Sequence, residues 1–84
     1  MAKVLVTLRI MPEDVSIDIQ NLKKEILSKI QASIQEVPIA FGLNALNVSV
    51  LVEDKEGEVE RVEKILKEVK GVGEIEVIEV ARTF

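Results

Sequence analysis

The chain has 84 residues and a mass of 9.3 kDa, room for a single domain over 1–84 and too little for a multidomain enzyme. At 48% apolar and 31% charged it is too apolar for a disordered tail and too charged for a membrane segment. It has no cysteine and no histidine, hence no thiolate nucleophile, no disulfide and neither of the usual zinc ligands; the expectation is a non-enzyme without a cofactor.

The net charge is −4 and the pI near 4.8, which speaks against nucleic acid as a partner, since phosphate binding needs clustered bases. Residues 1–42 carry five bases and five acids, whereas 43–84 carry six bases and ten acids, so the net acidity lies in the second half. The opening MAKVLVTLRI lacks a long apolar run and a small-residue cleavage site, so no signal peptide is expected. No apolar run is long enough to span a bilayer, and the expected address is the cytoplasm with no membrane contact.

In chain order, Val4, Val6, Leu8 and Ile10 fall on one face with Lys3, Thr7 and Arg9 opposite, which predicts a half-buried strand ended by Pro12. Asp18 is placed to cap a helix over 18–31, with Ile17 and Leu22 positioned to pack across the cap. Ile19, Leu22, Ile26 and Ile30 form its apolar stripe. Residues 34–41 contain Pro38 and suit a short edge strand, followed by a turn at Gly42 and Asn44. Leu46, Val48, Val50 and Val52 then alternate with Asn47, Ser49 and Glu53 in a strand that runs into the loop 53–57.

A second helix is expected over 58–70, with an acidic first turn and a basic last turn that match its dipole. Gly71 fits the residue after that helix, with Val72 folding back on Leu66. The final strand starts near Glu74 and ends near Arg82, and a change of phase at Ile78 and Val80 predicts a bulge. The order strand, helix, strand, strand, helix, strand specifies an α+β ferredoxin-like sandwich, βαββαβ, with both helices on one face of a four-stranded antiparallel sheet.

Several functional classes of this fold fail on missing residues. Met11–Val15 lacks the anion-binding arginine of an acylphosphatase-like loop, and a metal-chaperone domain would need a cysteine pair. An RNA-recognition sheet would need aromatics where this chain has Thr7, Arg9, Asn47 and Ser49. Glu53, Asp54, Glu56 and Glu58 do not follow a calcium-loop pattern and read as a solvated loop. Gly71–Val72–Gly73 closes a helix, whereas a phosphate-cradling loop opens one. An ACT-like module that binds a small metabolite stays open, because it needs no diagnostic side chain.

Two features stand out. Pro38-Ile39-Ala40-Phe41-Gly42-Leu43 sets a large aromatic beside a glycine at a hairpin tip, where Phe41 fits either a core side chain or a protruding anchor. Arg82 is the one base after Lys70 and follows an acidic strand; it fits either a solvated surface residue or a projecting group.

With the KVLVTLRIMPED opening, the VEDKEG loop and the Gly73–Arg82 strand, these segments make the whole chain resemble the archaeal elongation factor 1-beta family. The exchange domain of the eukaryotic proteins is also similar. The resemblance implies a guanine nucleotide exchange factor that binds the GTPase elongation factor 1-alpha and disturbs its magnesium and phosphate site. It implies that Arg82 stands where eukaryotic members insert a lysine toward the magnesium. It further implies that Phe41 belongs to the same interface, presented by Pro38, Gly42 and Leu43. Arginine and lysine share the charge but not the shape. Phe84 would be a second contact or a cover for the sheet. The free protein is expected as a monomer in preference to an oligomer.

Overall fold

A computed structural model describes residues 2–83, with backbone alone at Phe41 and Thr83; Phe84 lies outside the described residues. The opening alternation forms β1 (Lys3–Pro12), with Val4, Val6, Leu8 and Ile10 buried on one side. The helix α1 (Ile19–Lys29) begins at Asp18, whose carboxylate accepts the backbone N–H groups of Gln20 and Asn21, and it buries Leu22 and Ile26. The short edge strand β2 (Ser33–Pro38) is tied to α1 by an ion pair between Lys23 Nζ and Glu36 Oε2 at 3.5 Å. A 3-10 turn at Ala40–Gly42 leads into β3 (Asn44–Glu53), followed by the helix α2 (Glu58–Lys67) and the long strand β4 (Val72–Thr83).

The sheet order is β2-β3-β1-β4, antiparallel throughout, as the ferredoxin-like reading requires. Three-strand rows face the helices: Leu46, Ile10 and Ile75; Val48, Leu8 and Val77; Val50, Val6 and Val80; Val52, Val4 and Arg82. The first rows pack beneath Leu22, Ile26, Val62 and Leu66, which forms the core. Toward the last row the helices no longer cover β4, and Val80 is 54% exposed although its neighbours Val6 and Val50 are buried. The opposite face carries Arg9, Asn47, Thr7 and Ser49, with a hydroxyl contact of 3.1 Å between Thr7 and Ser49.

Thr7 pairs with Glu79 and Leu8 with Val77, so Ile78 is the additional residue of a bulge, where the phase change predicted one. Several boundaries differ from the sequence reading, among them the end of α1 at Lys29 rather than 31 and the start of β4 at Val72 rather than near Glu74. The edge strand stops at Pro38 rather than running to Phe41, because Pro38 pairs with Asn44 and the residues between them must reverse the chain. Helix α2 ends at Lys67 rather than Lys70: Glu68 and Val69 donate to the carbonyls of Ile65 and Leu66, tightening the last turn while still burying Val69. Gly71 therefore does not directly follow the helix, although its φ of +97° is the left-handed value a glycine supplies. Among the described residues no helix is long and apolar enough to cross a membrane.

Candidate functional site

The hairpin-tip segment is held by its own backbone. Ile39 N–H donates to the Leu43 carbonyl at 2.8 Å, and Leu43 N–H returns to the Ala40 carbonyl at 3.4 Å. Gly42 has a φ of +74°, which lets the chain reverse within this short span. Pro38 and Gly42 are exposed and Leu43 is half-buried. Gly42, Leu43 and Asn44 border a small recess with Pro12, Val15 and Ile17 of the β1–α1 loop. On the other side of the sheet, Ile39 borders an open cleft of about 410 Å³ with Arg9, Met11 and Glu74–Glu76. The Phe41 backbone lies in the middle of this turn, so the predicted hairpin-tip placement holds; its side chain lies outside what is described.

Arg82 lies near the end of β4, paired with Val4 and facing the helix side beyond the reach of the helices. Its side chain is 76% exposed, and Nη2 stands 3.4 Å from Asp54 Oδ2. Asp54 continues the β3–β1 ladder by donating its backbone N–H to the Ala2 carbonyl at 3.1 Å. The ion pair thus crosses over the start of β1, joining the strand ends on either side of it. Sequence reasoning assigned Asp54 to a solvated loop and missed this contact. Residues 28 positions apart are neighbours only through the pairing of two strands with a third.

The two groups of predicted site residues are not brought together. Pro38 to Leu43 lie level with Pro12 at one end of β1, and Arg82 lies level with Val4 at the other. Eight residues of strand separate those levels, roughly 25 Å at the rise of an antiparallel strand. A partner that touches both must extend along most of the 41 Å long axis.

The charges around the site are simple. The Asp14 carboxyl is held below its ordinary value by hydrogen bonds from the Ser16 hydroxyl and backbone. Glu58 is held below its ordinary value by a hydrogen bond from Arg61, whose Nε lies 2.6 Å away. Both groups therefore stay ionised at neutral pH.

The layout defines a ferredoxin-like domain with an exposed cation at one end of its sheet and a glycine-closed turn at the other. Residues 5–83 match the EF-1 guanine nucleotide exchange domain, and the chain belongs to that family. An elongation factor 1-beta of Methanothermobacter thermautotrophicus is 46% identical, with 98% of each chain covered. Another, of Thermoplasma volcanium, is 45% identical over 89% of this chain and 91% of its own. The ACT domain from GTP pyrophosphokinase of Chlorobium tepidum superposes with a TM-score of 0.57 at 22% identity, covering 90% of this chain and 99% of that one. That likeness shows the fold alone.

Proposed function

We propose that this protein promotes GDP release from translation elongation factor 1-alpha by bringing Arg82 against the magnesium and phosphate site of the GTPase. The observation that carries the reading is the match of residues 5–83 to a guanine nucleotide exchange domain. The exposed guanidinium at the sheet end supports the role given to Arg82.

The physical logic is short. In a GTPase the bound magnesium bridges the nucleotide phosphates and is the largest local charge in the pocket. A guanidinium brought beside it repels the ion and competes for the groups that hold it. Linkage then requires that a factor which weakens GDP binding is itself bound more weakly when GDP is present. A thousandfold acceleration corresponds to roughly 4 kcal/mol. The change is in non-covalent affinity, so the protein needs no nucleophile and no general base of its own. The turn at Pro38–Leu43 takes a second contact, with Phe41 as its apolar group.

Calorimetry separates this reading from metabolite binding. Titration into GDP-loaded elongation factor 1-alpha is expected to give a saturable heat, and a panel of free amino acids none. Heat with an amino acid and none with the GTPase would contradict the proposal.

A further inference from the structure

The exposed guanidinium of Arg82 is already engaged, and the group that engages it has the wrong sign for the task proposed above. An arginine entering a cation site together with a carboxylate 3.4 Å away carries little net charge into the pocket. We propose that Asp54 is a positioning residue for Arg82. It holds the guanidinium on the protein's own surface and gives it up when the acidic groups of the GTPase's magnesium site compete for it. The inference rests on the exchange reading.

The geometry fits a releasable contact. Arg82 is fixed at its backbone by pairing with Val4, and Asp54 by its N–H bond to Ala2, so the two side chains are presented to each other without further folding. The contact is a single nitrogen to a single oxygen at 3.4 Å, not the paired short contacts of a tight guanidinium–carboxylate fork. Side-chain exposures of 76% and 34% keep the pair in reach of water, salt and a docking partner. The neighbouring Glu53 is turned to Lys55 at 3.6 Å, which leaves Asp54 as the ion-pair acid of Arg82 among the described residues.

A contact of this kind acts on the fraction of free protein whose Arg82 is available. It changes the concentration needed to engage the partner and leaves the rate in the engaged complex alone. The test is fluorescent-GDP release from elongation factor 1-alpha over a range of factor concentrations, at low and high ionic strength. Asp54→Asn is expected to lower the half-saturating concentration roughly two- to fivefold, the span an exposed ion pair supports, with the maximal rate unchanged. The gain should shrink as salt rises, and Asp54→Glu should stay near the parent.

In an Arg82→Ala background, Asp54→Asn should no longer shift half-saturation. A shift of equal size in that background would assign Asp54 a structural role and overturn the proposal, as would no shift in the parent background. No acceleration by the parent protein would remove the exchange reading itself, and this proposal with it. In the free protein, the Arg82 side-chain nitrogen should exchange its proton with water faster in Asp54→Asn than in the parent. Equal rates would overturn the pairing independently of any partner.

Discussion

Arg82 and the residues around Phe41 differ in what a substitution can report. Arg82 is exposed and held by one surface ion pair, so Arg82→Ala should change stability by less than about 1 kcal/mol. The expected outcome is a nearly unchanged melting temperature with most of the GDP-release activity lost. Activity equal to the parent's would show that the cation has no part in exchange. Glu58 tests the acid side of the stability profile. Its folded-state value lies below the ordinary 4.5, so its stabilisation is present above that value and lost as pH falls through the lower one. Glu58→Gln should therefore flatten the fall in melting temperature on acidification, as read by thermal melts from neutral pH downward, and leave neutral-pH exchange intact. Asp14, lowered by Ser16, loses its contribution in the same direction. Asp54 was illegible in the sequence because an ion pair made through three strands leaves no local spacing to read.

The elements were largely legible because periodicity and burial agree. Each alternating apolar residue of β1 from Val4 to Ile10 is buried, and Asp18 caps α1 as its position suggested. What escaped were the ends. Val69 carries on the apolar stripe of α2, yet it reaches the core from a tightened turn, so burial outlasts the helix. Pro38 closes the edge strand, and Phe41 falls in a 3-10 turn whose shape depends on Leu43 pairing back to Ile39. Two substitutions probe this level. Leu66→Ala removes a fully buried side chain and should cost about 2–5 kcal/mol, read from denaturant unfolding. Gly73→Ala would set a Cβ 2.9 Å from the Pro12 carbonyl and 3.1 Å from that of Met11, both backbone atoms. It should cost roughly 1–3 kcal/mol by forcing β4 away from the end of β1. Both variants would lose activity through stability, so their exchange rates carry information only where the fold is intact.

At the scale of the whole molecule, the sheet separates the two proposed contacts, a turn closed by Gly42 and a cation some eight residues of strand away. The core rows of β1, flanked by β3 and β4, join the two ends, so the sheet fixes their direction relative to each other. The family resemblance was readable along the whole chain, whereas the distance between the two contacts was not, because it comes from strand register. The central claim, that the protein loosens GDP by disturbing the magnesium site of its partner, has a direct test. Fluorescent-GDP release from elongation factor 1-alpha is followed with and without the protein at low and high magnesium. Acceleration is expected, and it should weaken as magnesium rises. No acceleration at micromolar protein, or acceleration independent of magnesium, would contradict it.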